Sequence, residues 1–147
     1  MLGNSYSRNI YFKPMLSNYC APESSSENQF IRGILINVHD LTVKEVTLKN
    51  DLLSYYKLLN CDVITTAPYP YDNHHDIVVD DESLLKELQN FFAFSPESEY
   101  CGNGLIIRFN PEGEWFSHEL DVETVQSQIT FYKYVKLGPK IFKINLK

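Results

Sequence analysis

No run of eighteen apolar residues occurs in the 147-residue chain, so no membrane-spanning helix is expected. The opening "MLGNSYSRNIYFKPMLSNYC" has no apolar core of the kind a signal peptide carries, and the expected compartment is the cytoplasm. Cysteine is scarce. Cys20, Cys61 and Cys101 are odd in number and widely spaced, with no CxxC pair and no zinc-ribbon spacing, which points to reduced thiols. There is one tryptophan, against ten tyrosines and nine phenylalanines. No HExxH or GxSxG signature is present, and the glycines of "CGNGLIIRF" precede a strand rather than a helix, so they form no phosphate cradle.

Positive charge is also scarce, and it is unevenly placed. The net charge of −6 argues against a general nucleic-acid binder, which needs a basic face. The first 132 residues carry 8 basic against 19 acidic residues, a net of −11, while Lys133, Lys136, Lys140, Lys143 and Lys147 follow with no acid among them. The chain is therefore an acidic body with a basic tail. Lys136, Lys140 and Lys143 can blunt an edge strand against aggregation, or offer a basic site to a phosphate, a nucleotide or an acidic partner.

At 44% hydrophobic and 22% charged, the chain can bury a core, and its length suits one domain. Residues 1–29 form a polar leader ending in the link "APESSSENQ", and residues 30–147 are read as a single domain. The organising pattern is an extended pair followed by a capped helix, used twice. "IRGILINVHD" and "LTVKEVTL" lead into "NDLLSYYKLLN"; "CDVITTAP" and "DIVVDD" lead into "ESLLKELQNFF". In the first strand Ile34, Ile36 and Val38 alternate onto one face and are expected in the core. Asn50 is expected to cap the first helix, with Leu52, Leu53, Tyr56 and Leu59 as its apolar stripe, and Asn60 to end it. Asp121 is expected to cap a third helix through Val122, Val125, Ile129 and Tyr132. "SPESEYCGNG" reads as a loop, "NPEGEW" as a turn with Gly113 left-handed, and "KIFKINL" as a closing strand. The expected fold class is α+β, with an antiparallel or mixed sheet of about six to eight strands and three short helices.

The richest chemical segment is "YPYDNHHDIVVDDE", with Asp72, His74, His75, Asp76, Asp80, Asp81 and Glu82 around a short strand. These are suitable ligand types for zinc or manganese, but adjacent His74 and His75 in extended chain diverge. No metal or cofactor is therefore assigned. His39-Asp40 and His118-Glu119 can supply a base and its orienting carboxylate, yet neighbours on a strand also diverge. Tyr69, Tyr71, Tyr100, Trp115 and Phe116 are expected on loops beside the sheet, where such aromatics anchor interfaces.

From Ile31 to Tyr132 the order "VTLKNDLLSYYKLLNCDVIT", "DIVVDDESLLKELQNFFA", "GNGLIIRFN" and "SHELDVETVQSQI" resembles a family of small uncharacterised proteins from phages and plasmids of Gram-positive bacteria. The acidic strand end matches at Asp80, Asp81 and Glu82, and the strand-opening glycine at Gly104; the family's glycine-rich tract after the first helix is replaced by "LLNCDV". That family brings no established activity. The resemblance implies a mobile-element setting, where small acidic proteins act on host machinery.

The expectation that follows is a non-catalytic binding protein that engages, and can inhibit, a host defence protein in the host cytoplasm. Its binding residues are Tyr69, Tyr71, Trp115, the acidic Asp80, Asp81 and Glu82, and the cations Lys136 and Lys140. A nucleotide or other small ligand near Lys136, Lys140 and Arg108 is one alternative, and a metal-dependent hydrolase using His74 or His75 is another. The alternating "KIFKINL" edge can also pair with a second copy.

Overall fold

The computed structural model describes residues 30–85, 89–94 and 98–147. The leader and link of residues 1–29 lie outside the described residues. Ten strands, two α-helices and one 3-10 turn make up the described chain. β1 (Phe30–Asn37) and β2 (Thr42–Lys49) form the first hairpin, and α1 (Leu52–Leu59) follows. β3 (Ile64–Pro68) and β4 (His75–Asp80) form the second, ahead of the 3-10 turn Ser83–Leu85. β5 (Phe91–Ala93), β6 (Glu99–Cys101), β7 (Gly104–Phe109) and β8 (Trp115–Phe116) come next. The chain closes with α2 (Val122–Ser127), β9 (Thr130–Leu137) and β10 (Lys140–Asn145).

The strands form two sheets rather than the single one expected. The first runs β2-β1-β7-β4-β3, with β8 also on β7; the second runs β10-β9-β5-β6. Every pairing among the described residues is antiparallel. Both faces of the larger sheet are buried, which explains why its central strands are apolar in succession rather than in alternation. Ile34, Ile36, Ile77, Val79 and Ile106 meet Phe92, Phe131 and Val125, so the second sheet and α2 cover that face. Leu35, Val78, Leu105 and Ile107 meet Tyr55, Leu59 and Cys61, so α1 covers the other. The layers are helix, six-stranded sheet, four-stranded sheet. Gly104 lies where the two sheets meet closely: a Cβ there would stand 2.7 Å from Phe92 Cζ.

The first strand behaves as its alternation predicts, with Ile34, Ile36 and Val38 fully buried. Helix α1 is shifted by one residue at its start. Asp51 is the cap, its Oδ1 accepting the Ser54 N–H at 2.8 Å, while Asn50 Oδ1 accepts the Tyr55 hydroxyl at 2.6 Å. Its buried residues are Tyr55 and Leu59, and Leu52 and Leu53 are exposed. Asn60 ends the helix in the left-handed region, as its short side chain allows. The expected second helix is not formed over its described residues: three residues make a 3-10 turn, and Phe91 and Phe92 enter a strand between β6 and β9. α2 also stops early, because Tyr132 belongs to β9 and pairs with Phe91. Glu99–Cys101, read as loop, is a strand. No helix among the described residues is long and apolar enough to cross a membrane.

Candidate functional site

The residues expected to form one binding surface are dispersed by the fold. Tyr69 is 3% exposed, with its hydroxyl donating to Gln128 Oε1 at 2.7 Å and its ring edge-on to Phe94 at 5.5 Å. It is a core residue, which corrects the expectation of an exposed anchor. Tyr71, with its ring edge-on to Tyr69, remains exposed. Asp80 is also buried, and its Oδ1 accepts the Glu82 N–H, so the acid turns the chain out of β4. Asp81 and Glu82 are exposed. β4 lies between β7 and β3 with all six residues buried, so the acidic segment is an interior strand and not an edge. Tyr71 precedes that strand and Asp81 and Glu82 follow it, which puts them at opposite ends. Trp115 is half-buried, edge-on to Tyr55 at 4.8 Å.

Arg108 stands in the six-stranded sheet, whereas Lys136 and Lys140 belong to the four-stranded one. Its Nε donates to the Ser117 carbonyl at 3.1 Å, its guanidinium is 3.7 Å from Glu119, and it covers the Phe116 ring. These contacts commit it to the segment after β8 rather than to a shared cationic pocket.

Two buried histidines anchor a hydrogen-bonded polar cluster. Asp72 makes an Asx turn after the Pro-Tyr loop, its Oδ1 accepting the N–H groups of His74 and His75. Its Oδ2 meets His75 Nδ1 at 2.9 Å, and His75 Nε2 accepts the Glu119 N–H at 3.1 Å. A backbone N–H only donates, so Nε2 is unprotonated and the proton sits on Nδ1. His118 has the opposite tautomer: Nδ1 accepts the Leu120 N–H at 3.0 Å, and Nε2 donates to Glu45 Oε1 at 2.7 Å. Both imidazoles are 3% exposed.

Burial is the largest influence on His75 and pushes its pKa down; Asp72 opposes this, while nearby His118 and Arg108 reinforce it. Asp72 is held below its ordinary range although burial acts to raise it, because the N–H groups and ring of its neighbours stabilise the carboxylate. Glu45 is lowered chiefly by the hydrogen bond from His118. With both nitrogens of each ring engaged, the pair fastens residues 117–121 to the sheet and presents no free lone pair to a substrate or an ion. Among the described residues no group of three or more His, Cys, Asp or Glu is arranged to hold a metal. The sequence reading named both histidines but paired His118 with Glu119. Its partner Glu45 is 73 positions away, beyond any local signal, whereas Asp72 meets His75 from three positions away.

The other distinctive feature is the β9–β10 ribbon. Among the described residues β5 pairs with only Thr130, Phe131 and Tyr132 of β9, so the ribbon from Lys133 to Ile144 extends past its described neighbour. Ile141 is 67% exposed, Leu137 63%, Phe142 43% and Ile144 41%, interleaved with the tail lysines. At its root Tyr132 and Tyr134 both donate to Glu99 Oε1, and Lys143 Nζ lies 4.1 Å over the Tyr132 ring. Burial first, and then the Glu99 carboxylate, hold the Tyr132 phenol well above its ordinary pKa.

These features sit on a described architecture. The chain belongs to the family described as "Domain of unknown function (DUF3846)", whose model matches residues 31–130. The match starts at β1 and ends at the first residue of β9, so it takes in the six-stranded sheet, both helices and the histidine pair. Most of the lysine ribbon lies beyond the matched DUF3846 span. No curated protein and no solved structure matches the chain.

Proposed function

We propose that the protein is a non-catalytic binding protein, an accessory of a phage or plasmid that engages and inhibits a host defence protein in the host cytoplasm. The observation that carries the reading is the β9–β10 ribbon, where apolar side chains averaging well over a third exposed stand among lysines. An exposed apolar surface flanked by charge is the usual makeup of a contact site. The ribbon therefore replaces Tyr69 and Asp80 as the principal anchor, and Lys136 and Lys140 keep their assigned role there. Tyr71, Asp81 and Glu82 remain surface groups able to extend the contact. The nucleotide reading finds Arg108 engaged with Ser117 and Glu119, and the hydrolase reading finds both ring nitrogens of His75 engaged, which leaves it only the exposed His74.

The test is affinity capture of the tagged protein from host lysate with mass spectrometry, comparing the native chain, Lys136→Glu/Leu137→Asp and Tyr71→Ala. A host protein retained by the native chain and by Tyr71→Ala, but lost with the ribbon variant, is the expected result. A partner held equally by the ribbon variant would refute the assignment of the surface. No enriched partner at low salt would refute the binding reading itself.

A further inference from the structure

We infer that two copies of this chain join edge to edge through β10, antiparallel about a two-fold axis at Phe142, and extend each four-stranded sheet into one of eight strands. Among the described residues β10 is hydrogen-bonded on one side only, to β9, and all six of its residues are exposed. It contains no proline, whereas the outer strand β3 of the larger sheet ends in Pro68. A free two-stranded ribbon is marginal in water, and one carrying Ile141, Phe142 and Ile144 in the open gains from a further strand.

Geometry limits the register to two choices. The two-residue connection Gly138-Pro139, with Gly138 at φ 64°, closes the hairpin between Leu137 and Lys140. Hydrogen bonding to β9 then alternates from Lys140, so Lys140, Phe142 and Ile144 direct their backbone groups inward. Ile141, Lys143 and Asn145 direct theirs to the open edge. A two-fold antiparallel pair that keeps like faces together is centred on either Phe142 or Lys143.

Charge decides between them. Centring on Lys143 puts that ammonium opposite its own copy, which is unfavourable. Centring on Phe142 puts Lys140 opposite Ile144, Ile141 opposite Lys143, and Phe142 opposite itself. Lys140 then lays its apolar stem along an isoleucine and keeps its charge in water, while the Lys143 ammonium stays over the Tyr132 ring. The two phenylalanines meet at a non-hydrogen-bonded position, where side chains come closest. The strand thus matches itself in shape and backbone pattern with no lysine directly opposite a lysine, which favours a second copy over a different protein as its occupant. The pairing does not depend on the host contact proposed above, and Lys136 and Leu137 on β9 are not on the paired edge.

The test is sedimentation of the full chain from about 1 μM to about 100 μM, which spans the affinity of a small contact. A reversible dimer of the 17.1 kDa chain is expected. Ile141→Pro removes an N–H from the open edge and none from the β9 ladder. It should weaken the dimer by at least about tenfold with unchanged far-UV circular dichroism. Phe142→Lys, which sets lysine against lysine at the axis, should do the same. Lys136→Glu should leave the dimer intact, so loss of host binding and loss of pairing are separable. A monomer throughout the concentration series, or a dimer unaffected by both β10 substitutions, would overturn the inference.

Discussion

Replacing His75 by phenylalanine keeps an aromatic ring in the site and removes both nitrogens, so it isolates the polar contribution of the histidine pair. The Glu119 N–H loses its acceptor, and because Glu119 is itself exposed the cost is that of an ordinary hydrogen bond, about 0.5–1.5 kcal/mol. Asp72 loses the ring donor but keeps two backbone N–H bonds and some contact with water, so its loss is about 1 kcal/mol. The combined expectation is a destabilisation of about 1.5–2.5 kcal/mol, or a Tm lower by about 6–10 °C for a domain of this size. The pH dependence supplies the sharper readout. The folded His75 has a lowered pKa, so over the interval between that value and its ordinary value of 6.5 the unfolded chain binds more protons. Native stability is therefore full above pH 6.5 and declines as pH falls through the folded pKa. A second decline follows in more acidic solution, as Glu45 and Asp72, both lowered, take up protons below their ordinary values of 4.5 and 3.8. Urea unfolding from pH 8 to pH 4 should show the first decline in the native chain and a flatter curve between pH 7 and pH 5 in the phenylalanine variant. An identical slope in both proteins over that interval would refute the assignment of His75 as a buried neutral imidazole.

Two further substitutions test the packing and the capping. Gly104→Ala places a methyl 2.7 Å from Phe92 Cζ and 3.3 Å from Ile77 Cγ2, between the two sheets, and should cost about 1–3 kcal/mol in chemical unfolding; a variant of native stability would mean that the sheets do not pack at this distance. Asp51→Ala removes the acceptor of the Ser54 N–H and should cost about 1 kcal/mol, whereas Asn50→Ala should act through lost bonds to Tyr55 and Trp115 instead. Equal helix content with no change in midpoint for Asp51→Ala would place the cap elsewhere.

Local chemistry determined the parts of this protein that depend on neighbours in sequence. Alternation placed Ile34, Ile36 and Val38 in the core, Asn60 ended α1, Asp121 opened α2, and Gly113 took the left-handed turn position at φ 87°. The lysine-rich, alternating closing strand was also visible in its residues, because a solvent-facing edge needs no long-range partner to be recognised. What neighbours could not decide was which apolar face meets which layer. "LLKELQNFF" has helical spacing, but in a strand between β6 and β9 Phe92 packs against the larger sheet and Phe91 stacks on Tyr132, leaving Leu84 and Leu85 in solvent. Tyr69 looked like a loop anchor until α2 supplied Gln128 for its hydroxyl and Phe94 covered its ring. His118 found Glu45 only because β2 and the segment after β8 flank β1. Hydrophobic period fixes a residue's face from one stretch of chain; the identity of the covering layer, and the partner of a buried polar group, depend on contacts that only the closed fold brings together.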